Sequence, residues 1–161
     1  MVAHWSYLKY VLRHKWHVFV GCRRLGVPLW QSLVHDMSKF GWAEWGAYVN
    51  WFYRRSKNES DALAQRAAFD AAWNHHQKCN PHHWQYWLLI ADTDNPRITA
   101  LPIPQCYVLE MVADWYGAGM AIHGRNDLGS WHLNNKDRII LEDDTRYRVT
   151  QAIAKLQGAT E

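Results

Sequence analysis

Cysteine and long apolar runs are scarce in this chain, and each scarcity excludes a class of protein. The three cysteines, Cys22, Cys79 and Cys106, are odd in number and form no CxxC pair, so we expect free thiols in a reducing compartment. No apolar run approaches the roughly 20 residues that a membrane-spanning helix needs. Basic residues interrupt the apolar N-terminal stretch, so a signal peptide is not expected. We therefore predict a cytoplasmic protein with no membrane partner.

The excess of positive over negative charge is also small. The net charge is +3 at pH 7, and no basic run exceeds two residues, which gives no strong case for a nucleic-acid polymer but permits a small anionic partner. Aromatic residues are abundant, with eleven tryptophans that supply bulky packing. A chain that is 48% hydrophobic and 20% charged has the composition of a globular protein, not of a disordered one.

Helical periodicity recurs along the chain, whereas the alternation typical of strands is nowhere sustained. We therefore predict an all-α fold, a helical bundle of about five to seven helices. The 161 residues suit a single domain. Its core is expected over about residues 5–123, followed by a C-terminal loop and helix over residues 124–161.

Turn residues divide the predicted bundle into helices. We expect helices over residues 5–24, 28–39, 42–55, 61–76, 104–120 and 145–156, with a short helix through WQYWLLI. Ser60 or Asp61 is expected to cap the fourth of these helices. The segment KCNPHH is predicted to be a turn, residues 92–104 an irregular connection and residues 124–143 a loop.

The adjacent pair His35-Asp36 is the most informative feature of the sequence. An imidazole nitrogen and a carboxylate oxygen side by side can bind one divalent metal, and the second oxygen of Asp36 could bridge to another. Lys39 lies one helical turn after Asp36 on nearly the same face, where it could hold a phosphate oxygen. The alternative is that Lys39 is an exposed cation near a helix end.

Two predicted helices supply further candidate ligands. His14 lies on an apolar stripe of the first helix, whereas His17 lies closer to its charged side, which favours His14. Asp114 lies among apolar residues of the helix that follows Pro104, where a buried carboxylate needs a partner or a metal. Glu110, one turn earlier, could support a ligand from behind or serve as the acidic ligand in place of Asp114. An exposed position of Asp114 on an amphipathic helix is the other interpretation.

Four histidines fall within residues 75–83, at a helix end followed by a turn. Helix ends and loops are places where ligands can converge. His76 lies on the apolar face of its helix, so His75 beside it is expected to face elsewhere. Of His82 and His83, one is expected to enter the site and the other to point away. A surface cluster of histidines is the alternative to a set of ligands.

Together these residues resemble the HD-domain superfamily of metal-dependent phosphohydrolases, whose shared motif is a histidine, an HD pair and a distant aspartate. The segments RHKWHVF, LVHDMSKF, AAW, NPHHWQYW and EMVADWYGAG also resemble a small phage and bacterial family with HDxSKF and NPHHW motifs, over about residues 7–120. This closer resemblance favours His14 over His17 and His76 over His75. The interval of six residues from His76 to His82 is shorter than in many two-metal members of the superfamily.

The resemblance implies an HD-like bundle that hydrolyses a nucleotide or related phosphate ester with metal-activated water. One or two divalent ions, of Mn, Mg, Co, Fe or Zn, are implied, with these ligands: His14, His35, Asp36, His76, His82 or His83, and Asp114. Asp36 and Lys39 are implied as catalytic residues. Lys39 is also implied to bind the substrate phosphate, and Trp73 and Trp84 could stack on a base or pack in the core.

Two other functions fit the same sequence. Some proteins of the HD fold are di-iron oxygenases, which use the full six-ligand set. A non-catalytic phage accessory protein could instead bind a host protein or a small nucleotide signal through its aromatic surface. A phage-encoded chain would act in the host cytoplasm, and a homodimer is an assembly that the sequence allows.

Overall fold

The computed structural model describes residues 1–158. Within this range there are seven α-helices: α1 (Val2–Leu25), α2 (Leu29–Val34), α3 (Trp45–Tyr53), α4 (Glu59–Cys79), α5 (Gln105–His123), α6 (Leu128–Asn135) and α7 (Asp143–Gly158). The only strands in the described range, β1 (Leu88–Ile90) and β2 (Ile98–Ala100), pair antiparallel with Leu89 opposite Thr99. The predicted all-α class is confirmed. No helix within residues 1–158 is both long and apolar enough to cross a membrane.

Local signals explain where two of the long helices end. Gly26 follows α1 with a φ of 87°, a left-handed conformation that glycine adopts without steric cost, and its N–H donates to the carbonyl of Cys22. Asn58 caps α4, since its side-chain oxygen accepts the backbone N–H of Asp61 at 2.8 Å. The prediction that Ser60 or Asp61 caps this helix is wrong, because both residues lie inside its first turn.

The predicted helix through Lys39 is interrupted at the His35-Asp36 pair. Helix α2 ends at Val34, and Asp36 has a φ of 56°, the only positive φ among the described non-glycine residues. Aspartate tolerates this conformation better than most residues do. A turn of 3-10 helix then covers Met37–Phe40. The break therefore replaces a continuous helix with a sharp turn at the residue pair of greatest chemical interest.

Three other segments differ from the predicted elements. Trp84–Trp87 form a turn of 3-10 helix and the chain then enters β1, so WQYWLLI is not one helix. The connection over residues 92–104 contributes β2. The predicted loop over residues 124–143 contains α6 and a further 3-10 turn at Lys136–Arg138. The two short strands form because they pair with each other. The periodicity of a single segment does not indicate such pairing.

The helices pack around two hydrophobic cores that share α1. The main core joins the C-terminal half of α1 to α5 and α7, and its buried members include Val18, Cys22, Val112, Tyr116, Val149 and Leu156. The second core joins the N-terminal half of α1 to α3 and α4 through Tyr7, Val11, Tyr48 and Val49, with Phe69 and Trp73 packed against them. The middle of α1 therefore lies between the two cores.

Helix α5 packs closely against α1 at a glycine. A Cβ atom on Gly117 would lie 2.8 Å from the backbone nitrogen of Val18, so only glycine fits there without displacement. The two helices run antiparallel, since a Cβ atom on Gly21 would likewise meet Ala113. Asp114 and His14 face each other across this close contact, with Asp114 Oδ1 3.0 Å from His14 Nε2.

Candidate metal centre

Four separate segments place polar side chains at one position between the two cores. His14 comes from the middle of α1, His35-Asp36 from the break after α2, and Asp114 from α5. His76 lies in the last turn of α4, and His82 and His83 follow the turn after it. None of these seven residues is more than 9% exposed. The structure thus brings together every residue that the sequence suggested as a metal ligand.

The carboxylate of Asp36 lies between two groups of ligand atoms and directs one oxygen to each. Its Oδ2 is 3.3 Å from the Nε2 atoms of both His14 and His35. Its Oδ1 is 3.3 Å from the Nε2 atoms of both His76 and His82. One side chain therefore belongs to two adjacent donor sets, as a bridging carboxylate does in a two-metal site.

These donor sets define two sites. Cation site 1 consists of His14, His35, Asp36 and Asp114, and cation site 2 of Asp36, His76, His82 and His83; within each, the ligand atoms lie within 4.8 Å of one another. In site 1, Asp114 Oδ1 is 3.0 Å from His14 Nε2 and 3.4 Å from His35 Nε2. Two donors each about 2.1 Å from one cation, at angles of about 90–109°, are about 3.0–3.4 Å apart. The observed spacing fits a shared divalent ion.

The Nε2 atoms of the ligand histidines have no hydrogen-bond partner among residues 1–158. This holds for the Nε2 atoms of His14, His35, His76, His82 and His83 and for Asp36 Oδ1, all of which are buried. Nitrogen and oxygen atoms come within hydrogen-bonding distance, but their directions are not those of hydrogen bonds. Because buried polar atoms without partners are costly, six of them converging on two points indicate places for bound cations.

Two carboxylates outside the donor sets orient two of the imidazoles. His35 Nδ1 is 2.9 Å from Glu110 Oε1, and His76 Nδ1 is 2.8 Å from Glu44 Oε2. A proton on each Nδ1 then leaves the Nε2 lone pair directed into the site, as in carboxylate–histidine–metal arrangements. Gln31 in turn donates to Glu110 Oε2 at 2.6 Å. Glu110 also lies near His82. Together with His35 and His82, it forms a third group of ligand atoms.

The charges within the centre stabilise one another. Burial alone raises the pKa of Asp36, but the charges of His35 and Lys39 outweigh burial and hold that pKa well below its usual range. Burial likewise raises the pKa of Asp114, and the imidazoles of His14 and His35 bring it well below normal. Both carboxylates are therefore ionised at neutral pH, the form in which they bind metal.

His83 and Lys39 have opposite charge states. Burial, followed by the charge of His82, lowers the pKa of His83 well below its usual value, so this imidazole is neutral and its lone pair is available. The ammonium of Lys39 pairs with Asp36 Oδ2, and its side chain is only 14% exposed. Burial alone lowers the pKa of Lys39, but the charge of Asp36 reverses this, so Lys39 stays cationic. It is therefore not an exposed cation at a helix end.

Metal affinity is expected to fall as the pH falls through the neutral range. Burial lowers the pKa values of His35 and His76, but their carboxylate partners outweigh burial and raise both above the ordinary histidine value. A metal must displace these protons, so its affinity rises with pH above about 6.5 until both imidazoles are neutral. Mn²⁺ titrations between about pH 6 and pH 8.5 test this, and proton release can be followed with an indicator dye. Equal affinity across this range would contradict the assignment.

Three histidine predictions have distinct outcomes. Both His82 and His83 are buried in the centre, so the prediction that one of them points away is wrong. His75 is exposed and outside both donor sets, as its place beside His76 indicated, and its Nδ1 is 2.8 Å from Glu44 Oε1. His17 is half-buried and belongs to neither set.

The two tryptophans suggested for base stacking lie in different places. Trp73 stacks on His76, with ring centroids 5.7 Å apart, and meets His83 edge to face at 5.3 Å. Trp84 instead packs against the main core. Only Trp73 therefore contacts the metal centre.

Sequence reasoning missed the residues that support the ligands on the α3 side. Glu44 is fully buried and contacts both His75 and His76. Ser38 Oγ lies 3.1 Å from His76 Nδ1 and accepts a hydrogen bond from the side-chain amide of Asn80. The only signal was an acidic residue in an aromatic segment, FGWAEW, which by itself does not distinguish a surface acid from a buried one.

Fold and site together define an all-α protein with two adjacent groups of buried ligand atoms that share one aspartate and could hold metal ions. Residues 3–155 match the family described as "Family of unknown function (DUF5662)", and the chain belongs to that family. No curated protein and no solved structure matches the chain.

Proposed function

We propose that the protein is a metal-dependent phosphohydrolase of the HD-domain type, acting on a nucleotide or related phosphate ester. The observation that carries this proposal is the Asp36 carboxylate, which directs one oxygen to each of two groups of buried imidazoles. Two divalent cations held there would supply an activated water molecule and neutralise charge on the reacting phosphate. In the reaction the bond from phosphorus to the alcohol oxygen breaks, water supplies the new oxygen on phosphorus, and the alcohol takes a proton.

The chain's own residues bind and orient the participants. Glu44 and Glu110 hold His76 and His35 in the tautomer that turns Nε2 inward. Lys39 lies at the edge of cation site 1, where its ammonium can donate a hydrogen bond to a substrate phosphate oxygen. The two hydrophobic cores exclude water from the remaining sides, which strengthens every charge interaction at the site.

The polar side chains of the centre differ in their exposure. Asp114 is 12% exposed and Lys39 is 14% exposed. The imidazoles of His14, His35, His76 and His82 are at most 3% exposed. A substrate phosphate therefore approaches between Lys39 and Asp114, which is the side on which a cationic partner for it is available.

The proposal is tested by measuring phosphate release. Purified protein is stripped of metal, loaded in turn with Mn²⁺, Mg²⁺, Co²⁺, Fe²⁺ or Zn²⁺, and given a panel of nucleotides and simple phosphate esters. We expect release with at least one transition metal, and its loss when a chelator removes the ion. No release with any metal and any ester would overturn the proposal.

A di-iron oxygenase is the second candidate. The observation in its favour is the donor set itself, since five imidazoles and two carboxylates suit iron as well as manganese. Protein purified in air with two bound irons, a visible absorption band and oxygen consumption, but without phosphate release, would favour the oxygenase. Hydrolysis supported by Mg²⁺ or Mn²⁺ without oxygen uptake would exclude it.

A further inference from the structure

Beside the metal centre lies a small aromatic recess, lined by Tyr7, Tyr10, Lys39, Tyr48, Phe52, Phe69 and Trp73, with a volume of about 260 Å³. Tyr10 and Phe52 also line a neighbouring, larger pocket of about 420 Å³, which Tyr53 and Ile122 complete. The recess therefore continues into a second pocket with a mainly apolar lining. This size and lining suit a compact organic group.

The recess shares a wall with the metal centre. Lys39 lines it and pairs with Asp36. The ring of Tyr10 stacks on His14 with centroids 6.0 Å apart, and that of Trp73 stacks on His76 at 5.7 Å. A group bound in the recess would thus lie next to a phosphate held between Lys39 and the two cation sites.

Positive charge in the recess is limited. Among the described residues that line the recess and the neighbouring pocket, Lys39 is the only one with a cationic side chain. A di- or triphosphate would bring several further negative charges against aromatic faces with nothing to neutralise them. The lining therefore favours a substrate with one phosphate and a neutral body.

We infer that the aromatic recess binds the organic part of the substrate, and that the substrate is a monophosphate ester whose body is planar and uncharged. The phosphate in this inference rests on the proposed function. The binding of the organic body does not, so the two are tested separately.

The binding test uses the metal-loaded protein and 4-hydroxyacetophenone, a planar neutral probe. Its affinity is measured by ligand-observed NMR beside that of glycerol, which is not planar. We expect 4-hydroxyacetophenone to bind more tightly than glycerol. Phe52→Leu is expected to weaken its binding by about fivefold, because one aromatic face of the recess is lost.

Phe52→Leu also has a stability readout that separates ligand binding from a structural role. Phe52 is 57% exposed, so leucine there should change the melting temperature little, and weaker binding could not be ascribed to misfolding. Tyr147→Leu is the matched control, because Tyr147 is 63% exposed on α7 and does not line the recess. It should change neither affinity nor stability.

The turnover test compares 4-acetylphenyl phosphate, glycerol 2-phosphate and tripolyphosphate. A lower KM for the aryl monophosphate than for glycerol 2-phosphate, raised by Phe52→Leu, supports the inference. Equal binding of both neutral probes, unchanged binding by Phe52→Leu, or tripolyphosphate cleaved as fast as the aryl ester, overturns it even if the protein is a phosphohydrolase. Selective binding of 4-hydroxyacetophenone without phosphate release under any metal would support the recess and overturn the proposed function.

Discussion

Asp36→Asn is expected to remove both bound metals and to lower phosphate release by at least about a thousandfold. The reason is geometric, because Asp36 Oδ1 faces cation site 2 and Oδ2 faces cation site 1. An asparagine keeps the shape of the side chain but has no charge and only one acceptor oxygen. Metal content after dialysis, measured by mass spectrometry, and phosphate release at saturating Mn²⁺ test this prediction.

The control for this substitution is Asp70→Asn. Asp70 lies on α4 in an exposed ion pair with Arg66, with its side chain 52% exposed. Exposed pairs of this kind contribute little, about 0–1 kcal/mol, so metal content and activity should not change. Two ions retained by the Asp36→Asn protein would contradict the bridging role. A biological effect that survives loss of both ions would instead favour a non-catalytic binding role.

Substitution of one histidine in each cation site tests whether the two sites bind their ions independently. His14→Gln should leave cation site 2 intact, and His76→Gln should leave cation site 1 intact, because each imidazole contacts a different Asp36 oxygen. Each variant is therefore expected to retain about one ion per chain where the unmodified protein binds two. Loss of both ions from each variant would show that the sites fill only together.

Local sequence patterns predicted the helices more accurately than they predicted the geometry of the site. Periodicity and turn residues are local properties, so they located α1, α4 and α5 to within a few residues. The break at Asp36 has no comparable signal, since its left-handed backbone is held by surroundings that come from other helices. The HDxSKF motif therefore identified the residues, and only the structure showed that they form a sharp turn.

The histidine turn illustrates the same limit at the site. Adjacent side chains on a regular helix or strand diverge, which is why one of His82 and His83 was expected to point away. The turn after α4 is irregular, and His83 is followed by a 3-10 helix, so both imidazoles are buried in the centre. Glu44 was missed because its partners, His75 and His76, are more than thirty residues away in sequence.

Gly117→Ala is expected to destabilise the fold by about 1–3 kcal/mol and to weaken metal binding about tenfold or more. The added Cβ would lie 2.8 Å from the Val18 backbone nitrogen, which cannot move aside as a flexible side chain can. Helix α5 must therefore shift away from α1. That shift lengthens the 3.0 Å separation between Asp114 Oδ1 and His14 Nε2 in cation site 1.

Denaturant unfolding of the metal-free protein and a Mn²⁺ titration measure the two effects of Gly117→Ala separately. Gly46→Ala is the matched control, because Gly46 lies within α3 and an added Cβ there meets nothing within 4 Å. Alanine suits a helix better than glycine, so the control should be neutral or more stable by up to about 1 kcal/mol, with unchanged metal affinity. If Gly117→Ala behaved like this control, the spacing between α1 and α5 would not set the distance between the two ligands, and the constraint would have to come from the Asp36 turn alone.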